Sequence, residues 1–186
     1  MCIRDRYRTY PGTHPTKGAY FTRGTTKDAY ARYSETGPDY VENVTRLLRK
    51  FQTARSLVPP SVLRPASQKT RFGVIYFGST SPAMHEASDV FERTDIHADT
   101  LRVRAFPFDA AVERFIEEHD TIFVVEQNRD AQLRSMLVNE LEVAPARLVP
   151  ILHFDGTPIT PRFIVREIGD RIRGSNVEPL TRGKAA

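Results

Sequence analysis

The stretch "FGVIYFGSTSPAMHEASDVFER" (residues 72–93) decides the fold class of this chain. Its first seven residues, 72–78, form a short apolar run of the kind that is buried on both faces in a parallel sheet. Ser81 and Pro82 then open a segment with helical spacing, because both residue types suit the start of a helix. The stretch therefore predicts a strand, a short loop and a helix in that order.

The same order recurs further along the chain. Strands are predicted at 99–106, 121–127 and 147–154, and helices at 109–119, 129–143 and 160–172. Strand–helix repetition predicts an α/β domain, in which an open, mostly parallel sheet has flanking helices on both faces. Asp109 and Thr160 are the expected helix N-caps, and Pro150 places the last strand at an edge of the sheet.

The residues before this domain have a different character. Residues 7–37 are punctuated by glycine and proline and are predicted to be a loop. From Pro38 to about Leu57, apolar residues recur at helical spacing and predict one helix. Residues 59–70 contain proline and serine without a period, which is typical of a linker.

Composition excludes several classes of protein. The net charge of +4 comes without a Lys/Arg tract, which weighs against nucleic-acid binding. Cys2 is the single cysteine, so an intrachain disulfide framework and a cysteine-ligated iron–sulfur cluster are excluded. No apolar run has the length of a membrane span, and "MCIRDR" (1–6) lacks the apolar core of a signal peptide, so a cytoplasmic location is expected.

Two loops at the expected carboxyl edge of the sheet are candidate sites. The loop within 77–86 offers Ser79, Thr80 and Ser81 before a helix N-terminus, where an anion would be favoured; the alternative is an ordinary capped turn. The loop within 124–133 concentrates polar side chains after the most hydrophobic strand, which is typical of a site or an interface. Its candidates are Glu126, Asn128 and Arg129; the alternative is that Asn128 or Asp130 only caps the next helix.

The opening loop "YPGTHPTKGAYFTRGTTKDAY" (10–30) is a third candidate. Cations, hydroxyls and glycines together suit a small molecule that carries a carboxylate or a phosphate. The alternative is a surface segment that docks on another domain or subunit. The histidines are scattered without metal-binding spacing, so no metal site is expected.

Two quoted motifs together resemble a known family. "YRTYPGTHPTKGAYFTRGTTKDAYARYSETGPDYVENVTRLLRKFQTA" (7–54), followed by a linker and then "FVVEQNRDAQL" (123–133), resembles the carboxyl-terminal part of the α subunit of 2-oxoacid:acceptor (ferredoxin) oxidoreductases. The 2-oxoglutarate type fits best, and the resemblance covers about residues 7–172. It implies that the chain is a fragment of a longer subunit.

The resemblance also implies a domain organisation. Residues 7–58 would be the end of the domain that binds the pyrimidine of thiamine diphosphate, while residues 1–6, which match nothing that follows, are expected to be a non-native start. After the linker at 59–70, residues 71–173 would be core domain II, with a fold like the carboxyl-terminal domain of transketolase, and residues 174–186 a flexible tail.

The activity implied by the resemblance belongs to a complex. The family oxidatively decarboxylates a 2-oxoacid, passes electrons to ferredoxin and forms an acyl-CoA. Thiamine diphosphate would be shared with a β subunit that holds Mg²⁺ and the iron–sulfur cluster, and this chain would bind none of these groups alone. The isolated chain is therefore expected to be inactive, and no catalytic residue is assigned in it.

The opening loop would then face the 2-oxoacid. An arginine fork suits a carboxylate, so Arg8 is the expected partner, with Thr13 and Thr16 as hydroxyl donors and His14 and Lys17 as further candidates. The expected interface or secondary-site residues are Arg23, Ser79, Thr80, Ser81, Glu126, Asn128 and Arg129. Two other readings stay open: a standalone α/β module that binds an anion, and a structural assembly domain whose polar loops are interfaces.

Overall fold

The computed structural model describes residues 12–16, 26–30 and 32–174. The predicted start at 1–6 and the predicted tail beyond Gly174 lie outside these residues. The chain divides into two compact units, Met1–Leu57 and Val58–Ala186, and each is described by itself.

The first unit combines a short hairpin with a helix. Strands β1 (Thr26–Lys27) and β2 (Tyr33–Ser34) pair antiparallel, at positions predicted to be loop, and helix α1 covers Gly37–Arg55. The Asn43 amide of α1 donates to Thr26 Oγ1 at 2.6 Å and to the Lys27 carbonyl at 2.7 Å. This side chain therefore holds the hairpin on the helix. The helix predicted from Pro38 is confirmed.

The second unit is an α/β domain. Its strands are β3 (Val62–Arg64), β4 (Phe72–Phe77), β5 (Asp99–Val103), β6 (Thr121–Glu126) and β7 (Leu148–Leu152). Its helices are α2 (Ser81–Arg93), α3 (Ala110–Glu118), α4 (Gln132–Leu141) and α5 (Pro161–Arg173). The strands lie in the order β3-β5-β4-β6-β7, with β4 to β7 parallel and β3 antiparallel to β5. The predicted open, mostly parallel sheet with flanking helices is confirmed.

Helices cover both faces of the sheet. One apolar layer joins α2 and α5 to the sheet and includes Phe91, Phe123 and Ile164. The other joins α3 and α4 to the opposite face and includes Phe115 and Leu137. Burial of apolar side chains in both layers drives the packing of this unit. Pro150 lies in the edge strand β7, as predicted.

Strand β3 was not apparent from the sequence. It lies inside the segment predicted to be a linker, and all three of its side chains are exposed. Without a buried face there is no alternating pattern to detect. The strand forms because its backbone pairs with β5, while the Ala66 N–H beyond it donates to Asp99 Oδ1 at 2.8 Å.

Two predicted helix caps are confirmed. Asp109 Oδ1 accepts the Ala111 N–H of α3 at 2.8 Å, and Thr160 Oγ1 accepts the Phe163 N–H of α5 at 3.2 Å. Partial burial raises the pKa of Asp109, but N–H donors from Ser61 and Ala111 outweigh it and hold the pKa below its ordinary value. Every helix among residues 32–174 is too short or too polar to cross a membrane.

Candidate functional site

The carboxyl edge of the sheet contains a topological switch point. From β4 the chain moves to β5 on one side, and then returns past β4 to form β6 on its other side. The loops that follow β4 and β6 therefore leave in opposite directions, and in open α/β sheets ligands commonly bind at such a point. The two loops predicted as candidate sites, within 77–86 and 124–133, flank this switch point.

The loop after β4 is a single turn of 3-10 helix, Gly78–Thr80. Gly78 has a φ of +58°, in the left-handed region that favours glycine, and a Cβ atom there would meet no atom within 4 Å. Glycine is therefore favoured at position 78 by its backbone conformation, since a side chain there would have room. Thr80 and Ser81 are buried, so only part of the predicted hydroxyl set faces solvent.

Gln127 connects three loops across the switch point. Its Nε2 donates to Ser79 Oγ at 3.0 Å and to Thr80 Oγ1 at 3.2 Å. Its Oε1 accepts the Ile159 N–H, from the loop before α5, at 3.2 Å. The structure thus brings the predicted Ser79 and Thr80 together with a residue that was not among the predicted site residues. The signal for Gln127 in the sequence was its position directly after a strand predicted to be buried.

Glu126, predicted as a site or interface residue, stabilises the start of α4. Its carboxylate is fully buried at the end of β6. Oε2 accepts the Leu133 N–H at 2.7 Å and the Asn128 side-chain amide at 2.8 Å, and Oε1 accepts the Arg134 N–H at 3.0 Å. These backbone donors belong to the first turn of α4, whose N-cap residue, Ala131, has a φ of +50° and no capping side chain. Glu126 therefore supplies the cap from a distance.

Asn128 completes this arrangement. Its Oδ1 accepts the Asp130 N–H at 3.1 Å and the Gln132 N–H at 3.2 Å, so the alternative in which Asn128 caps the helix is supported. Asp130 instead pairs with Arg129 at 2.8 Å, on the surface, where such pairs contribute little. Of the predicted residues in this loop, Arg129 is the one whose side chain lies mainly in solvent.

The opening loop belongs to the other unit. Arg8, Lys17 and Arg23 lie outside the described residues. Within 12–16, the Thr16 N–H donates to His14 Nδ1 at 3.2 Å, and the Thr16 hydroxyl is 3.3 Å from the same atom. These two predicted residues therefore form one local turn, while the predicted substrate role of the loop stays a prediction.

Among the described residues, His, Cys, Asp and Glu side chains form no group of three or more that could hold a metal ion. The switch-point hydroxyls of Ser79 and Thr80 already accept from Gln127.

Replacing Gln127 by alanine is expected to loosen the three loops. The loss of three hydrogen bonds should lower the free energy of unfolding by about 1–2 kcal/mol and speed amide hydrogen exchange at Ile159. Gln132→Ala is the matched control, because Gln132 is exposed at the start of α4. Equal exchange rates at Ile159 in both variants would contradict the bridging role.

Comparison with solved structures identifies the fold. The chain superposes on the 2-oxoglutarate:ferredoxin oxidoreductase from Magnetococcus marinus, solved with 2-oxoglutarate, coenzyme A and succinyl-CoA bound, with a TM-score of 0.72 and 17% sequence identity. The two proteins share this fold. The match covers 85% of this chain but 28% of that chain, so this sequence spans less than a third of its structural neighbour.

A second solved structure matches less well. It is the α chain of a probable 2-oxoacid ferredoxin oxidoreductase from Thermoplasma acidophilum, at 18% identity, over 61% of this chain and 97% of that chain. Its TM-score of 0.39 is too low to support an argument. No protein-family model and no curated protein matches the sequence.

Proposed function

We propose that this chain is a part of the α subunit of a 2-oxoacid:ferredoxin oxidoreductase, of the 2-oxoglutarate type. The observation that carries the proposal is the fold match over 85% of the chain. A match of that length exceeds the second unit, Val58–Ala186, and therefore includes part of the first unit as well. The sequence resemblance over residues 7–172 supports the same family from separate evidence.

The two units would have different tasks in the complete enzyme. Residues 7–58 would be the end of the pyrimidine-binding domain and residues 71–173 core domain II. At the switch point of the second unit, Gln127 and Glu126 hydrogen-bond to groups of the neighbouring loops and of the start of α4. The second unit would therefore serve assembly with other parts of the complex, with Arg129 at the surface as a contact residue.

Substrate contact would fall to the opening loop. A 2-oxoacid carries a carboxylate, for which a guanidinium provides two parallel donors. Arg8 would hold that carboxylate, and Thr13, His14, Thr16 and Lys17 would add donors to it. Thiamine diphosphate in the complete complex would be shared with the β subunit, which would hold Mg²⁺ and the iron–sulfur cluster. The reaction would yield acyl-CoA and reduced ferredoxin.

Arg8→Ala in the complete enzyme is expected to lower kcat/KM for the 2-oxoacid by about 30-fold, roughly 2 kcal/mol, through loss of a charge-assisted hydrogen bond. The measurement is 2-oxoacid-dependent reduction of ferredoxin. Arg49→Ala is the matched control, because it removes the same charge from an exposed position on α1. Equal kinetics for the two variants would remove Arg8 from the substrate site.

Co-expression with the β subunit tests the family assignment. The chain is produced with a 2-oxoacid:ferredoxin oxidoreductase β subunit from the same source, and complex formation is measured by co-elution. Thiamine diphosphate binding by the chain alone is measured by calorimetry. Co-elution without cofactor binding by the isolated chain is the expected result. Saturable cofactor binding by the chain alone, or elution of the two proteins as separate species, would overturn the proposal.

A further inference from the structure

Helix α1 carries a row of large apolar side chains on its surface. They are related by steps of three and four residues, which places them on one side of the helix. We call this row the α1 stripe, and it consists of Tyr40, Val41, Val44, Leu47, Leu48 and Phe51. No residue of α1 is buried, and the six side chains of the stripe are between 39% and 63% exposed. A contiguous exposed apolar row of this kind marks an interaction surface.

The hairpin of the first unit is held by a different side of α1. The Asn43 amide makes the contacts, with Thr26 Oγ1 and the Lys27 carbonyl. At 3.6 residues per turn, position 43 is about 80° around the helix from the middle of the α1 stripe. The contacts that hold the hairpin therefore do not use the stripe.

Four members of the stripe have the spacing of a coiled-coil seam. They are separated by four, three and four residues, which is the alternation of heptad positions a and d. This seam consists of Tyr40, Val44, Leu47 and Phe51. Side chains at a and d positions pack into the spaces between the side chains of a facing helix. The partner that suits this seam is therefore another helix with the same apolar spacing.

The seam is complementary to itself when the second helix runs in the opposite direction. A two-fold axis that passes between positions 45 and 46 sets Tyr40 of one copy opposite Phe51 of the other, and pairs the two inner seam residues in the same way. The same operation brings Val41 next to Leu48 of the second copy, on one flank of the seam. All six side chains of the stripe thus find an apolar counterpart in a second copy, as an isologous interface requires.

The distribution of charge along α1 also favours the antiparallel direction. Its acidic residues, Asp39 and Glu42, lie in the first half of the helix. Its basic residues lie at the centre or in the second half: Arg46, Arg49, Lys50 and Arg55. Antiparallel pairing places the acidic half of each helix beside the basic half of the other, whereas parallel pairing would place like charges together. The two helix dipoles are opposed in the antiparallel pair, which is favourable as well.

The area of the stripe is sufficient for a dimer. The helix has 19 residues and is therefore about 28 Å long. Large apolar side chains that remain half exposed can each bury roughly 100 Å² more, so the stripe offers about 600 Å² per copy. A pair of copies would bury about 1,200 Å² in total, at the lower end of the range for specific, stable interfaces. This area predicts a dimer of moderate affinity.

We propose that two copies of this chain associate through the α1 stripe, as an antiparallel pair of helices related by a two-fold axis. The apolar spacing provides the seam, the position of the axis pairs its members, and the charges select the direction. The association goes beyond the proposed oxidoreductase role and does not depend on it, because its evidence lies in α1 alone.

Sedimentation equilibrium of the full chain tests the association. The wild-type chain should form a dimer at about 100 μM. Leu47→Glu places a charge in the seam and should weaken dimerisation at least ten-fold, with unchanged far-ultraviolet circular dichroism because the position is exposed. Thr45→Glu is the matched control, since it adds the same charge at an exposed position of α1 outside the stripe. A monomeric wild-type chain, as expected if another protein segment covers the stripe, or equal losses in both variants would overturn the proposal.

Disulfide trapping tests the direction of the pair. In a Cys2→Ser background, a mixture of Tyr40→Cys and Phe51→Cys chains should form an intermolecular disulfide under mild oxidation. The Tyr40→Cys chain alone should not, because the two copies of position 40 would be about 16 Å apart along an antiparallel pair. A cross-link in the Tyr40→Cys chain alone would show a parallel pair, and a dimer without the mixed cross-link would show a different surface. Either result would overturn the proposal.

Discussion

Replacement of Glu126 by alanine is expected to lower the free energy of unfolding by about 3 kcal/mol. The carboxylate is fully buried and accepts three hydrogen bonds, from the Leu133 and Arg134 N–H groups and from the Asn128 amide. Without it, two backbone donors at the start of α4 lose their partners in a place that water reaches poorly. Urea-induced unfolding followed by far-ultraviolet circular dichroism would measure the change.

Two further variants separate the cap from a general effect of charge. Glu126→Gln keeps the size of the side chain but has one acceptor oxygen, and its amide donors face backbone donors, so we expect about 2 kcal/mol of destabilisation. Asp130→Ala removes a nearby surface carboxylate and should cost under about 0.5 kcal/mol. A Glu126→Ala protein as stable as Asp130→Ala would show that the cap contributes nothing.

Replacement of His119 by alanine is expected to cost a similar amount, about 3 kcal/mol. The ring is 2% exposed, with Nδ1 2.6 Å from the Phe115 carbonyl oxygen and Nε2 3.0 Å from Asp99 Oδ2. It also packs on the Phe115 ring, at 4.3 Å between centroids. The substitution therefore removes both polar contacts and opens a cavity beside Gly73, where an added Cβ would lie 2.7 Å from the Phe115 ring.

The variant His119→Phe distinguishes packing from hydrogen bonding. It refills the space but leaves the Asp99 carboxylate and the Phe115 carbonyl without their nitrogen partners, so about half of the loss should remain. Glu118→Ala, at the exposed neighbouring position, is the matched control. Thermal and urea unfolding should both rank His119→Ala as least stable, His119→Phe as intermediate and Glu118→Ala as most stable. A His119→Ala protein as stable as the wild type would show that the buried contacts are energetically neutral.

The sequence predicted those features that depend on neighbouring residues. The caps at Asp109 and Thr160 bond backbone groups two and three residues away, and therefore have a recognisable local pattern. The Glu126 cap bonds groups seven and eight residues away, across a left-handed Ala131. No propensity or spacing rule relates such a carboxylate to that helix, so the sequence pattern indicated only a site or an interface at Glu126.

Sequence by itself determined the alternating order of strands and helices, the open α/β class and the edge position of Pro150. Apolar periodicity and proline geometry are local properties, so they can be recognised in the sequence without knowledge of the fold. The tertiary structure alone decided that β5 and β6 lie on opposite sides of β4, that β3 joins the sheet, and that Gln127 spans the switch point. It also placed Arg102 beside Tyr76. These features arise from backbone pairing between distant segments, which depends on how the whole sheet assembles and leaves no period in any one segment.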